Sequence, residues 1–296
     1  MSKKLASARA IILGVAFALA LVGCGSTGHS SRPSAASAQD PKLHALLPAP
    51  IRRRGTIRVG SDIGYAPFEY FGPGRKPIGL DIDLMRALEP ILGVRFAISD
   101  TTYAGIVPAL QAKRYDVGWS AIVLASLGGT GTVDFLVYID PALDSVLVRS
   151  SNTTIKKPSD LCGKTFAFLQ AEKSESTDAA SAACEQEGKS PIHWKFFQKT
   201  PDVILAVESG QVDARVAYVV NGTYYVKASK GKLKLVRGIL PKRPLTMGVA
   251  VPRGDRGLEA ALRGGLQRLI ATGAYRRILQ RYGATSVGVR RITIRQ

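Results

Sequence analysis

Four polar loops, each placed after an apolar segment, carry the side chains of this 296-residue chain that are best suited to chemistry. The loops span residues 61–65, 120–123, 169–173 and 218–221. If each apolar segment is a strand of an open α/β sheet, the loops lie at the carboxyl ends of the strands, where ligands bind in such sheets. The pattern predicts one binding site whose charged groups include Asp62, Glu172 and Lys173.

Catalysis and metal binding have weaker support from the sequence. Glu172 would serve as a general acid only in a desolvated cleft, with Lys173 beside a leaving oxygen, and an adjacent Glu–Lys pair is more often a solvated loop. No paired nucleophile and base is recognisable. His29, His44 and His193 are too dispersed to bind a metal ion, so neither a metal nor a cofactor is predicted.

The elements that must position these loops occur in two similar units. Residues 109–120 (ALQAKRYDVGWS) and 206–217 (AVESGQVDARVA) both contain a helix end, a turn, an aspartate and an apolar strand. Before each unit, at residues 55–61 and 163–170, a turn glycine leads into another apolar strand. The repeats predict two lobes, each with a mostly parallel sheet, that face each other across the four loops.

Two helices of these units have recognisable ends. The first is predicted to begin with Asp81 as its N-cap, to be distorted at Pro90 and to end at Gly93. The second is predicted to begin with Thr200 as its N-cap and to end at Gly210.

The amino terminus has the order of a bacterial export signal. Basic residues occur within residues 1–9, an apolar run spans residues 10–22, and Cys24 ends a segment that resembles a lipobox. The run is too short for a membrane span, which needs roughly 20 apolar residues. We predict a signal peptide at residues 1–23, lipid attachment at Cys24 and a flexible tether at residues 24–50. The alternative is an ordinary signal peptide with a chance cysteine.

The chain is strongly basic, with 41 Lys and Arg residues against 22 Asp and Glu residues and a net charge of +19. This charge favours anionic lipid head groups, cell-wall polymers or acidic partners, although a generic basic surface is the more ordinary interpretation. The basic residues are scattered and no zinc-knuckle or aromatic RNA-binding motif is present, so no nucleic-acid partner is predicted.

With Cys24 assigned to a lipid, two cysteines remain. In an exported protein, Cys162 and Cys184 are predicted to form a disulfide, since the compartment is oxidising. The alternative is a pair of buried free thiols.

Six segments share their order and spacing with a known family. They are GSDIGYAPFEY (60–70), GLDIDL (79–84), GIVPALQAKRYDV (105–117), LCGKTFAFLQ (161–170), SGQVDA (209–214) and ATGAYRRILQRYG (271–283). Through these segments the chain resembles the family 3 bacterial extracellular solute-binding proteins, the amino-acid receptors of ABC importers. The resemblance covers residues 55 to about 283, and LCGK together with Cys184 is similar to the actinobacterial branch.

The resemblance implies an α/β, two-lobed periplasmic-binding-protein-like fold of type II, with a mixed sheet in each lobe and two crossover hinge strands. Lobe 1 would comprise residues 51–144 and 246–296, and lobe 2 residues 145–245, with crossovers near residues 141–146 and 243–247. Closure around a solute would be a hinge motion.

The functional expectation is a monomeric lipoprotein on the outer face of the cytoplasmic membrane. It would bind a small polar solute, an amino acid or a related amine, deliver it to an ABC transporter permease and catalyse no reaction. Two alternatives are a periplasmic-type dehydratase on the same fold and a sensory receptor that has lost transport.

The resemblance also assigns solute contacts. Asp62 and Tyr65 match the first binding loop, Tyr103 a second aromatic wall, and Ser120 a contact at a strand end that continues into Ala121. For each tyrosine the alternative is a plain packing residue.

Several positions depart from the family pattern. No arginine stands between residues 119 and 138 to bind a carboxylate; Val123 and Gly128 occupy the corresponding positions, and the loop of the second lobe reads Ala171, Glu172 and Lys173. Tyr218 replaces the acidic residue that binds an α-ammonium group. These departures predict a cationic or polyhydroxylated solute rather than an ordinary zwitterionic α-amino acid.

Overall fold

The computed structural model describes residues 39–127, 131–142, 144–243 and 245–295. The strands are β1 (Thr56–Ser61), β2 (Tyr70–Phe71), β3 (Pro77–Ile78), β4 (Arg95–Asp100), β5 (Val117–Val123), β6 (Val133–Ala142), β7 (Asp144–Arg149), β8 (Thr165–Leu169), β9 (His193–Phe197), β10 (Ala214–Tyr218), β11 (Leu233–Arg237), β12 (Leu245–Pro252) and β13 (Gly288–Arg295). The α-helices are α1 (Pro41–Leu46), α2 (Ala49–Arg54), α3 (Leu80–Leu92), α4 (Ile106–Gln111), α5 (Glu175–Gln186), α6 (Thr200–Ser209), α7 (Val219–Ala228), α8 (Arg256–Ala271) and α9 (Ala274–Arg281).

Two large mixed sheets define two lobes. In lobe one the strand order is β13-β6-β12-β5-β1-β4, where β1 is parallel to β4 and β5 and the remaining pairs are antiparallel. In lobe two the order is β11-β7-β10-β8-β9, where β7 is antiparallel to both neighbours and β8 is parallel to β9 and β10. The α/β fold with a mixed sheet in each lobe is confirmed. The expectation of mostly parallel sheets, drawn from the repeats alone, is wrong, because β7 and β12 are antiparallel to their neighbours.

The chain passes between the two sheets twice. It leaves lobe one at the end of β6, and β7 begins lobe two two residues later, at Asp144. It returns between Arg237, the end of β11, and Leu245, the start of β12. Strand membership thus assigns residues 56–142 and 245–295 to lobe one and residues 144–237 to lobe two. The exact domain bounds stay a prediction.

The helix ends agree with the sequence at one terminus and differ at the other. Gly93 and Gly210 end α3 and α6 with φ angles of 64° and 80°, the left-handed conformation that glycine adopts without strain. Helix α3 begins one residue before Asp81, and α6 begins at Thr200 itself, so the prediction that these two residues are N-caps is wrong. Asp81 is instead fully buried and serves the cleft described below.

The residues that lead into β1 pack on lobe one. Leu47 and Ile51, in and beside the short helices α1 and α2, are buried. Arg268 of α8 donates to Asp40, 2.9 Å from Nη1 to Oδ2. The prediction of a flexible tether is therefore wrong for residues 41–50, whose helices are too short to leave a periodic pattern. Residues 1–38, including Cys24, lie outside the described residues.

A disulfide joins Cys162 to Cys184 in lobe two, with the Cα atoms 5.5 Å apart, so the predicted pairing is confirmed. It connects α5 to the turn that precedes β8. Over the described part of the chain, the helices are all too short or too polar to cross a membrane, and no group of side chains is arranged to bind a metal ion.

Candidate functional site

A small cavity lies between the lobes, at the carboxyl ends of β1, β5 and β8 and beside the segment that follows β4. The remaining space is about 10 Å³, close to the volume that one water molecule needs. The cavity is lined by Asp62, Tyr65, Glu69, Tyr103, Ser120, Ala121, Val123, Leu169 and Glu172. The structure thus brings together all but two of the residues that the sequence predicts for the site.

The two exceptions are Lys173 and Tyr218. Lys173 is exposed and lies at a separate surface groove that also contains Trp194 and Phe196; its backbone N–H donates to Ser126 Oγ at 3.1 Å. Tyr218 is buried at the end of β10, and its hydroxyl has no hydrogen-bond partner within the described residues. Neither side chain lines the cavity.

A bulge in β5 places Ser120 and Ala121 at the cavity. Trp119 pairs with Val249 and Ile122 with Gly248, so the two intervening residues of β5 oppose no residue of β12. One of them, Ala121, has a φ of 40°, a strained conformation for a residue with a Cβ atom. Conformations of this kind persist where the surrounding structure fixes them, and here hydrogen bonds to both bulge residues do so.

Ser120 and Ala121 are held by buried acids. Ser120 Oγ accepts from the backbone N–H of Asp62 and donates to Glu69 Oε1, both at 2.9 Å. The backbone N–H of Ala121 donates to Asp81 Oδ2 at 2.9 Å, and the Tyr138 hydroxyl lies 2.7 Å from both oxygens of that carboxyl group. The acids therefore fix the loops of β1 and β5 relative to each other.

Burial dominates the protonation of these groups. Loss of solvent raises the pKa of Glu69 well above its ordinary value, and the neighbouring Asp81 raises it further. Burial also raises the pKa of Asp81 to about 6, although hydrogen bonds from Tyr138 and Ala121 act in the opposite direction. Burial and the neighbouring carboxyl group thus favour the neutral form of Glu69, whereas the hydrogen bonds from Tyr138 and Ala121 favour the charged form of Asp81. Sequence reasoning missed Glu69, whose only signal is its place four residues after Tyr65.

An ion pair connects the lobes at the cavity. Lys199, the residue before α6, reaches from lobe two to Asp62 Oδ1 at 2.8 Å and to Asp100 Oδ1 at 2.7 Å in lobe one. It also donates to the Thr101 carbonyl at 2.7 Å. Burial raises the pKa of Asp62 to about 6, opposed by Lys199. The second carboxylate oxygen of Asp62, Oδ2, is buried and has no partner within the described ranges.

A second buried ion pair lies on the lobe-two side. Arg215, the second residue of β10, is 1% exposed, and its Nη2 is 3.3 Å from Glu172 Oε1. Its Cζ atom lies 5.6 Å above the centre of the Tyr65 ring in lobe one. The absence of an arginine between residues 119 and 138 thus leaves out a cation from the other lobe, since Arg215 contacts the cavity-lining Glu172; Gly128 lies outside the described residues. The signal in the sequence was a charged residue inside an otherwise apolar strand.

The site is acidic within a basic protein. The buried carboxyl groups in or beside the cavity are those of Asp62, Glu69, Asp81 and Glu172. Lys199 and Arg215 are the cations that contact them among the described residues. Even with Glu69 neutral, the acids exceed the cations, while the whole chain carries +19. The electrostatic field inside the cleft therefore favours a cation.

Comparison with known proteins identifies the class. The model of the bacterial extracellular solute-binding proteins, family 3, matches residues 57–285, and the chain belongs to this family. It is accordingly an extracytoplasmic solute-binding protein, with its binding cleft between two lobes.

Individual relatives agree with this assignment. The arginine-binding protein ArgT of Corynebacterium glutamicum is 27% identical over 245 residues, which cover 82% of this chain and 79% of that protein. The histidine-binding periplasmic protein of Salmonella typhimurium is 26% identical over 235 residues, or 76% of this chain and 86% of the relative. An ancestral arginine-binding protein bound to arginine superposes with a TM-score of 0.67 at 27% identity, over 77% of this chain and 98% of its own. The ancestral amino acid-binding protein AncCDT-1, described as a precursor of cyclohexadienyl dehydratase, gives 0.68 at 28% identity, over 80% and 99%.

Proposed function

We propose that the cleft binds a small cationic solute, an amine or a basic amino acid, and that the protein delivers it to the permease of an ABC importer. The observation that carries the proposal is the excess of buried carboxyl groups over cations around the cavity. A buried carboxylate without a full set of partners is stabilised by a cation, and Asp62 Oδ2 is such an acceptor. Tyr65 and Tyr103 add aromatic surface, which favours cations further.

The relatives support the same solute class. Proteins named for arginine and histidine binding align over three quarters or more of this chain. Arg215 removes one reason for excluding a zwitterion, since a cation is present near the cavity. We therefore retain the expected positive charge of the solute and include basic α-amino acids in the proposal.

The proposal assigns no catalytic role to the cleft. Its acids are engaged in holding loops or in ion pairs: Glu69 with Ser120, Asp81 with Ala121, and Glu172 with Arg215. The relatives named above are binding proteins by their descriptions.

The proposed setting is the outer face of the cytoplasmic membrane, where a monomer is held by a lipid on Cys24. Its support is the signal sequence and the family to which residues 57–285 belong. A receptor tethered in this way stays close to its permease.

Calorimetry of the wild-type protein with L-arginine, L-lysine, a simple diamine and L-glutamate tests the solute class. We expect binding of at least one of the cations and none of L-glutamate. Asp62→Asn removes the charge of the buried acceptor with little change in volume and should weaken binding of the cation by tenfold or more. Glu185→Gln, an exposed acid on α5, is the matched control and should leave affinity unchanged. Binding of L-glutamate in preference to all the cations contradicts the proposal.

A further inference from the structure

The cation site of the cleft already contains a guanidinium group of the chain itself. We infer that Arg215 is an internal ligand, which occupies the solute's cationic subsite in the closed protein and must be displaced when a solute binds. The inference rests on the proposed function, because it takes the site to be one for cations. Three observations on the side chains around Arg215 lead to it.

The first observation is that the Tyr65 ring is contacted by two side chains of the protein itself, one of them the guanidinium of Arg215. The Phe68 ring stacks on Tyr65 with centroids 5.5 Å apart and planes inclined by 13°. The guanidinium of Arg215 lies over the ring of Tyr65, 5.6 Å from its centroid. A cationic group of a solute that lies over this ring at the position of the guanidinium would compete with Arg215.

The second observation concerns Glu172, the cavity-lining acid of lobe two. Its Oε2 accepts from the backbone N–H of Leu169 at 2.9 Å, which fixes the carboxylate. Its Oε1 faces Arg215 at 3.3 Å. An aromatic ring from lobe one and a fixed carboxylate from lobe two are the groups that typically bind a guanidinium, and here they contact that of Arg215.

The third observation is that little space is left and that Arg215 is incompletely bound. About 10 Å³ remains in the cavity, too little for any solute larger than water. Yet Nη1 of the buried Arg215 has no hydrogen-bond partner among the described residues, and neither do the hydroxyls of Tyr65, Tyr218 and Tyr225. Such unpartnered buried groups weaken the internal complex, so a better partner can replace it.

The consequence is a competition within the molecule. A tethered guanidinium acts on Glu172 at a high effective concentration, so a solute binds only when its own contacts exceed those of Arg215. Arg215 is therefore a specificity-determining residue that rejects weak cations and lowers the affinity for strong ones.

Titration calorimetry of the full chain with methylguanidinium chloride tests this inference, because the probe carries the group in question and no carboxylate. Arg215→Met removes the guanidinium and keeps most of the stem. We expect the variant to bind methylguanidinium at least tenfold more tightly than the wild type, and the added change Glu172→Gln to abolish the gain. Arg149→Met is the matched control in the same lobe. It lies at the end of β7 opposite the cleft and should behave like the wild type.

Arg215→Gln carries the test if the methionine variant does not fold, since the amide still donates to Glu172. Equal or weaker binding of methylguanidinium to the folded variant overturns the inference. If L-arginine also binds tenfold less tightly, Arg215 holds the carboxylate of the solute. The solute class is tested by calorimetry of the wild-type protein, whereas the role of Arg215 is tested on its variants. The proposed function and the role of Arg215 can therefore be refuted independently.

Discussion

Replacement of Lys199 by methionine tests whether the ion pairs between the lobes keep the cleft closed. The ammonium group reaches across the cleft to Asp62 and Asp100 in lobe one. Methionine has a similar length and removes the charge and the three donors. We expect Lys199→Met to shift the lobes toward an open arrangement, since Asp62 then remains buried without its counterion in the closed one.

The size of the shift follows from the burial of the two acceptors. The Asp62 side chain is 0% exposed, and a hydrogen bond to such a charged group contributes roughly 1.5–3 kcal/mol. The Asp100 side chain is 37% exposed, so that pair contributes about 0.2–1 kcal/mol after screening by solvent. Ordering the half-buried lysine costs roughly 1 kcal/mol. About 2 kcal/mol remains, which corresponds to about a 30-fold change in the closure equilibrium.

Distances between spin labels on the two lobes measure this equilibrium without a solute. Arg86 in lobe one and Leu205 in lobe two are exposed and suitable for replacement by labelled cysteines. Lys227→Met, which removes an exposed charge from α7, should keep the wild-type distance distribution. If Lys199→Met also keeps it, the ion pairs do not hold the lobes together, and closure depends on the apolar and tyrosine contacts instead.

Three further results are expected. Burial raises the pKa of Asp62, Asp81 and Asp144 to about 6, above the ordinary 3.8, so the folded state binds more protons than the unfolded state between pH 4 and 6. The free energy of unfolding in urea should consequently be higher at pH 5 than at pH 7, and the opposite order would show that these acids are solvated. Serine replacement of both disulfide cysteines should lower that free energy by roughly 3 kcal/mol, from the 22-residue separation, and a change within error would point to strain in the linked state. Cys24→Ala should release the protein from detergent-phase partitioning into the aqueous phase; retention in the detergent phase contradicts the lipid anchor.

The general site could be predicted because strand ends leave local signals. Asp62, Ser120 and Glu172 each lie at or within three residues of the end of an apolar segment, and the carboxyl ends of parallel strands converge in space. The disulfide followed from the number of cysteines and the predicted export signal. These predictions depend only on the nearby sequence and on the topology, which is why they agree with the structure.

Three charged residues of the site could not be predicted in this way. Arg215 lies near the start of a buried strand and contacts Glu172 of the cleft through the length of its side chain. Lys199 is a helix-capping residue in one lobe whose partners belong to the other, so its role exists only in the closed arrangement. Asp81 lies in the first turn of α3, where an acidic residue usually caps the helix, but its buried carboxylate accepts from the backbone N–H of Ala121 in β5 instead. Each role depends on long-range packing that no local pattern records.

The short helices ahead of β1 have a mechanical consequence. Asp40 is tied to Arg268, and the ring Nδ1 of His44 lies 2.7 Å from the carbonyl oxygen of Leu92, so the entry of the chain is fastened to lobe one at two points. Any force transmitted along the preceding segment reaches lobe one first. If the preceding segment is anchored, opening of the cleft would displace lobe two, with Lys199, Glu172 and Arg215, relative to Tyr65 and Tyr103 of the anchored lobe one.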